Sequence, residues 1–510
     1  MYSKESLNMN YVRKTARILP GLVLIWLFAM AFGISCDREG QVVTVDFDVI
    51  VVGSGLTGHS ATQAALDAGA SVGWFEKNER LGGSAPYATG TFSAAETDLQ
   101  RQFSIEDSVA LHRDDINRIG KNQADQDLLQ LLVEESPKVW ERLLSFGIEP
   151  NERGPVIDPV HSPYSVPRTM TPAVNSASEY NTVLHRQIEQ HQDRLTVYTG
   201  TTVIELLNGA DGVRGVAAVA NGVRTEYTAH AVILATGGYG SNFDLIAEYA
   251  PEYADILSVT PQFATGDGHI MAREIGARLV HMDMMVPYFA GMPPAEGQNI
   301  GFGDLTSRFP AMWQGDVWLA SDGRRFTNED QPDAAIRERA LQSITGARVI
   351  MLFDQAMVEH NSGIPVRDFE TRLAESDHIV AMDSIDEIAV HFGLPVETVR
   401  ETVSAVNAIA SGNGTCPFGR EVVLPLTRAP YYAMEVFGVT FMTQGGIAVN
   451  TNLEVLHENG STIPGLYAAG EALGTAQFTG DGYASGTGNT GPLVFGMHAG
   501  MNAAAFAAAK

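Results

Sequence analysis

Three glycines at G-x-G-x-x-G spacing, Gly53, Gly55 and Gly58, follow directly on the apolar run Val49-Ile50-Val51-Val52. A buried strand that ends in such a turn and passes into a helix is built to receive a dinucleotide. The first glycine permits the tight turn, the second lets a pyrophosphate approach the backbone, and the third lets helix and strand pack closely. Leu56 and Thr57, between the glycines, would offer their amides at the positive end of the helix dipole. A small-residue helix is expected over 59–70 and a second strand over 71–75, closed by Glu76 and Lys77. An acid about 20 residues after the glycines can accept the ribose hydroxyls and would repel a 2′-phosphate.

Further small-residue turns follow in order. Leu81-Gly82-Gly83-Ser84 lies just after the second strand, where a Gly-Gly turn suits the pyrophosphate. Thr201-Thr202-Val203 can set backbone beside an adenine. Ala231 to Leu234 reads as another buried strand and runs into Ala235-Thr236-Gly237-Gly238. Thr265-Gly266-Asp267-Gly268 precedes a helix expected over 270–276. Ile463 to Ala469 reads as a strand and turn that deliver Gly470 and a second acid, Glu471, and Gly486-Thr487 closes one more turn. Each alone is an ordinary turn. Together they read as one large flavin site, and the cofactor they imply is FAD.

The elements that carry these turns begin after a separate leader. Lys4, Arg13, Lys14 and Arg17 form a basic n-region, and an apolar stretch runs from Ile18 to Ile34, ahead of Cys36. Residues 1–36 read as an export signal, with Cys36 placed for lipid attachment. The alternatives are a soluble periplasmic product and a retained membrane anchor, for which about 17 apolar residues is the short limit. In each case the domains would stand outside the cytoplasm. Without residues 1–35 the net charge of −27 becomes −30. A chain this acidic does not seek nucleic acid. Cys36 and Cys416 are the only cysteines, which excludes a disulfide framework and a C-x-x-C-H haem attachment. No metal site is expected, and the electron donor or acceptor must be a separate molecule.

With these motifs in place, the chain resembles the FAD-binding flavoproteins of the fumarate reductase/succinate dehydrogenase type. It is most similar to their soluble exported members and to tricarballylate and 3-ketosteroid dehydrogenases. The resemblance covers roughly residues 45–508. Besides the turns above it rests on Ala94 to Asp98, Arg325-Phe326-Thr327-Asn328-Glu329, Gly445-Gly446 and Phe495-Gly496. It implies an α/β fold, with a Rossmann-like FAD domain in two segments, 43–284 and 443–510, and an inserted α+β capping domain over 285–442. The chain agrees on its own terms: Ser384-Ile385-Asp386-Glu387 is a capping box, Gly393 closes that helix, and Pro395 starts the next. Membrane-bound members tether FAD through a histidine after the Gly-Gly turn. Here that stretch reads Ser84-Ala85-Pro86-Tyr87, so the resemblance implies noncovalent FAD.

The substrate positions depart from fumarate reductase. Val439 to Gly446 holds no cation where the family has a histidine, and Tyr483 stands where it has an arginine. Pro287-Tyr288-Phe289-Ala290 replaces a third cationic neighbourhood. Asp330-Gln331-Pro332-Asp333 follows Asn328-Glu329, and Arg337 and Arg339 arrive late. Fumarate is therefore not expected as substrate. The tyrosine–glycine turn is similar to those of the tricarballylate and ketosteroid enzymes, which implies that Tyr483 polarises a substrate oxygen. The same argument makes Tyr288 a candidate base. Arg337 and Arg339, on a helix expected over 333–343, point to different faces, so at most one enters the site. Arg168 is either a carboxylate clamp or a loop arginine, and His161 reads as structural. Residues 126–147 read as a packed helical pair divided at Pro137. The expected activity is hydride transfer that makes or consumes a C=C bond beside a carbonyl or carboxylate, with a quinone or cytochrome as electron partner. A 3-ketosteroid-type dehydrogenase is the alternative substrate reading. A flavin-carrying lipoprotein that only relays electrons is the alternative of another class.

Overall fold

The computed structural model describes residues 46–510 apart from 159–161, 254–256, 286–287, 293–300, 303–314, 332, 361–372, 374–378 and 422. The expected export segment with Cys36, and also His161, Pro287 and Pro332, lie outside the described residues.

The apolar runs become parallel strands. They stand in the order Thr462–Ala468, Val223–Leu234, Asp46–Val52, Val72–Phe75 and Leu195–Tyr198. Strands inside such a sheet are covered on both faces, which is why residues 49–52, Val72–Phe75 and 231–234 are apolar and buried without alternation. An antiparallel strand, Glu454–Leu456, edges the sheet. A hairpin, Thr202–Gly209 and Gly212–Ala220, leans on Val223–Leu234.

Two helices close one layer. The glycine helix spans Leu56–Asp67 and buries every residue from Leu56 to Leu66. The terminal helix, Thr487–Ala508, lies against it. Contact is backbone-close: a Cβ at Gly496 would stand 2.7 Å from the Thr57 carbonyl oxygen, and one at Gly500 2.3 Å from that of Ala61. A helix enclosed in this way needs no polar face, and its sequence shows almost none. No helix among the described residues is long and apolar enough to cross a membrane.

A second core gathers around an antiparallel sheet. Tyr431–Thr440 is its central strand and pairs with Arg348–Asp354, Tyr288–Met292 and Ile379–Met382. Ile385–His391 and Val396–Ala410 contribute Ile388, Val399 and Val406 to the same core. The Ser384 capping box forms as read: Ser384 Oγ accepts from the Glu387 amide, and the Glu387 carboxylate accepts from that of Ser384. Tyr239, Leu245 and Tyr253 also belong to this second core.

Three element boundaries differ from expectation. The glycine helix starts at Leu56 rather than 59, because Gly55 is already its N-cap. The helix after Thr265 spans Asp267–Glu274, since Gly266 takes the left-handed conformation directly before it. The helical pair over 126–147 is one helix, Gln126–Ser145, that runs through Pro137. A proline inside a helix frees the carbonyl four residues back. Here that carbonyl is Val133, and the buried Ser136 hydroxyl donates to it at 3.3 Å.

Gly58 is the tightest point of the first strand–helix joint. A Cβ there would stand 2.0 Å from the Gly53 oxygen, and both partners are backbone. Gly58→Ala should therefore destabilise the protein by about 1–3 kcal/mol through overpacking. Denaturant melts of the two proteins check this; equal midpoints would contradict the packing described.

Candidate functional site

The parallel strands end at one edge, and the glycine turns meet there. The Gly53 amide donates to the Phe75 carbonyl at 2.8 Å, and the Ala235 amide to that of Val52 at 2.9 Å. The Ala469 amide donates to the Leu234 carbonyl at 3.2 Å. These bonds set Gly53, Ala235-Thr236-Gly237 and Gly470 side by side. A Cβ at Gly53 would stand 2.2 Å from the Ala235 oxygen, and one at Gly470 1.9 Å from Thr57 Oγ1. In open α/β sheets this carboxyl edge is where ligands bind.

The same edge is open at other glycines. A Cβ at Gly55 would meet only the Gly83 Cα, at 4.0 Å, and one at Gly82 only Asn181, also at 4.0 Å. Gly237 faces nothing within 4 Å. The glycine helix has neither a side-chain cap nor an acid in its first turn. The Thr236 hydroxyl is buried without a hydrogen-bond partner. Open glycines, uncapped amides and a lone buried hydroxyl suit the pyrophosphate and ribityl parts of a dinucleotide.

The acids brace the turns. Glu76 is buried, and one carboxylate oxygen accepts from the Ser54 amide and hydroxyl at 3.0 and 2.5 Å. The other accepts from the amide and side chain of Asn78. Val203 enters its strand beside this point, since the preceding Thr201 amide donates to the Glu76 carbonyl. Lys77 Nζ donates to Asp267 at 2.7 Å and to Thr265 Oγ1 at 2.8 Å. Glu471 is half-buried and accepts from the Thr443 amide at 2.7 Å. Burial pushes its pKa up, against the bonds from Thr443 and Gly238. Ser84 is exposed at the rim, and the Thr487 hydroxyl donates to the Ala484 carbonyl, closing the turn at Gly486.

Tyr483 is half-buried in the turn before the terminal helix, edge-on to Phe441 at 5.7 Å. Burial, the Asp158 charge and the Gly488 amide act on its phenol, with the net effect upward, so it is a neutral hydrogen-bond donor across the physiological range. Ser485 Oγ donates to Asp158 at 2.7 Å, and Tyr164 OH to the Ser485 carbonyl at 2.8 Å. The backbone of Tyr288 pairs with Val439, two residues before Phe441. Arg337 stacks over Trp318 at 5.8 Å. Arg339 leaves the same helix, Ala334–Arg339, toward Asp481 and grips both of its carboxylate oxygens.

Arg168 takes the structural alternative. It is fully buried, bidentate on Asp107 at 2.7 and 3.0 Å, and bonded to Asp115 at 2.8 Å. Burial raises the Asp115 pKa, but bonds from Arg118 and Ser165 and the Arg168 charge bring it below the ordinary carboxylate range. Sequence reasoning did not single out Asp158, Tyr164 or Lys121. None lies in a spaced motif; each reaches the site through the fold.

A family model described as an FAD binding domain matches residues 48–490. The chain belongs to that family. Its cofactor is FAD, and it is an FAD-dependent oxidoreductase. It is 31% identical to a urocanate reductase of Eggerthella lenta, over 91% of this chain and 76% of that protein. It is 28% identical to a cytochrome-type fumarate reductase of Shewanella frigidimarina, over 98% of this chain and 84% of that protein. Among solved structures it is similar to the open conformation of a flavocytochrome c3 fumarate reductase. That match has a TM-score of 0.75 and 28% identity, over 92% of this chain and 79% of that one.

Two expected outcomes follow from buried groups. Arg168→Met should cost about 3–5 kcal/mol, because it leaves the buried Asp107 carboxylate without its cation, whereas Asp115 keeps Arg118. Denaturant melts check this, and a stability loss below 1 kcal/mol would contradict it. His269 is buried edge-on to Tyr239, and burial lowers its pKa from 6.5 to about 4, against the Asp267 charge. A depressed folded pKa gives stability that is present above 6.5 and is lost as pH falls toward 4. His269→Leu should flatten the pH dependence of stability in that window, measured as melting midpoints across it.

Proposed function

We propose that this chain transfers hydride between its flavin and a carbon next to a carbonyl or carboxylate, making or consuming a C=C bond, with a substrate other than fumarate. Bound FAD supplies the hydride chemistry. The glycine turns and helix amides hold it noncovalently, since Ser84 to Tyr87 offers no tethering histidine. Residues 43–284 and 443–510 form the flavin domain in this reading, and 285–442 form the cap.

The observation that carries the proposal is Tyr483. A neutral phenol in the turn before the terminal helix can donate to a carbonyl or enolate oxygen and stabilise charge that develops there. The Gly488 amide acts on the phenol oxygen and polarises its O–H further. Tyr288 is assigned the proton acid or base. The stretch 439–446 supplies no cation for a second carboxylate, which argues against a dicarboxylate substrate. Arg339 is bound to Asp481; Arg337, over Trp318 on the same helix, is assigned the anchoring of an acid from the cap. Relatives that reduce urocanate and fumarate support C=C chemistry and show that substrates diverge within this similarity. Residues 1–36, read as an export leader, support an enzyme outside the cytoplasm, whether released, held through Cys36 or kept on a membrane anchor. A quinone or cytochrome then exchanges its electrons.

An anaerobic screen tests the reading. Unsaturated acids and enones are offered with reduced viologen, and their saturated partners with an oxidising dye. Turnover of at least one class is expected; rapid dye chemistry without turnover of any would leave only an electron relay. On the substrate found, Tyr483→Phe should retain FAD and lose about 10²–10³-fold in kcat. A larger effect of Arg337→Ala instead would identify a carboxylate anchored from the cap. Wild-type rates in both variants would remove these two residues from the mechanism.

A further inference from the structure

Asp481 lies two residues before Tyr483 and is held from opposite sides. Its amide donates to the Gly120 carbonyl at 3.0 Å. A Cβ at Gly120 would stand 1.7 Å from the Thr479 oxygen, and one at Gly480 2.4 Å from the Gly120 oxygen. The turn is thus fixed by backbone to the loop after the helix Val109–Ile119. Lys121, in that loop, takes the left-handed conformation and puts Nζ 3.0 Å from Asp481 Oδ2.

The other side belongs to the second core. Arg339 Nη1 donates to Asp481 Oδ2 at 2.8 Å, and Nη2 to Oδ1. Tyr253, a residue of that core, is close enough for its phenol and the Arg339 guanidinium to act on one another electrostatically. Asp481 is 14% exposed and Arg339 25%, so the pair is screened less than a surface ion pair. A bidentate guanidinium–carboxylate contact also fixes direction.

We infer that Asp481 is a positioning residue: with Lys121 and Arg339 it latches the proposed cap onto the turn that carries Tyr483. The inference rests on the functional reading above only for its effect on turnover. The latch sets two distances at once. It fixes the Tyr483 turn on the flavin side, and it fixes the helix that carries Arg337 on the cap side. Opening it would let solvent reach the flavin and would loosen the phenol from its donor geometry, where small displacements are costly.

The test uses FAD-loaded full-length protein with Asp481→Asn, Arg339→Ala and Arg339→Lys. The first readout is quenching of bound-flavin fluorescence by acrylamide, a neutral probe that ion pairs do not attract. Asp481→Asn and Arg339→Ala should raise the quenching constant severalfold, and Arg339→Lys should bring it back toward wild type. The second readout is kinetic. kcat should fall by about 10²-fold in the first two variants while KM moves less. Unchanged quenching in both variants overturns the latch. Loss of FAD from both also overturns it, because Asp481 would then be part of the flavin cradle. If Asp481→Asn does not fold, Arg339→Ala decides. If no substrate is turned over by the wild type, the functional reading fails and the quenching result still decides the latch.

Discussion

The carbonyl oxygen of Gly53 sits where any side chain at position 58 would have to be. That single approach draws the first helix onto the first strand. The terminal helix then closes on the first helix through Gly496 and Gly500, and Gly470 closes on Thr57. Everything at the strand edge inherits its spacing from this set of backbone contacts. Glycines whose Cβ would clash make the scaffold, and glycines whose Cβ would meet nothing leave the trough. One residue type does both tasks, distinguished only by what stands opposite.

Charge is organised on the same economy of position. The chain has 60 acids against 33 basic residues. Several of its arginines are committed to carboxylates inside the fold: Arg168 to Asp107 and Asp115, Arg325 to Glu329, Arg420 to Asp330 and Arg339 to Asp481. The pairs of Arg168 with Asp107 and of Arg325 with Glu329 are stabilising only as pairs, since either partner alone would be a stranded buried charge. An arginine in this sequence is therefore more informative about which acid it faces than about a substrate anion. Arg339 illustrates this. Read along the chain it is a cation near a motif, whereas in space it joins two cores.

The sequence made the flavin edge legible because that edge is built from local signals. Gly53 to Gly58, Ala235 to Gly237 and Gly470-Glu471 are each a strand followed by its own turn, and a strand–turn junction is written in adjacent residues. The Ser384 capping box was legible for the same reason. What could not be read were relations between distant residues. Glu76 braces Ser54 and Asn78, and Asp158 reaches Ser485 across more than 300 positions. Pro137 misled as a helix divider because the compensating hydroxyl, Ser136, signals nothing by its type. The helix boundary at Leu56 was placed three residues late because the glycines read as turn, although the third of them is helical.

The pairing of Thr462–Ala468 with Val223–Leu234 bears on how the molecule comes into being. The central sheet lacks an inner neighbour until the last tenth of the chain exists, and the helix that covers it is the final element of all. Contacts of such sequence separation are slow to form and raise contact order. Through most of its synthesis the chain presents an unfinished sheet with an unpaired apolar edge, which is the condition under which chaperones are engaged. Assembly of the first core therefore waits on the strand Thr462–Ala468 and the helix Thr487–Ala508, however well the glycine turn is formed.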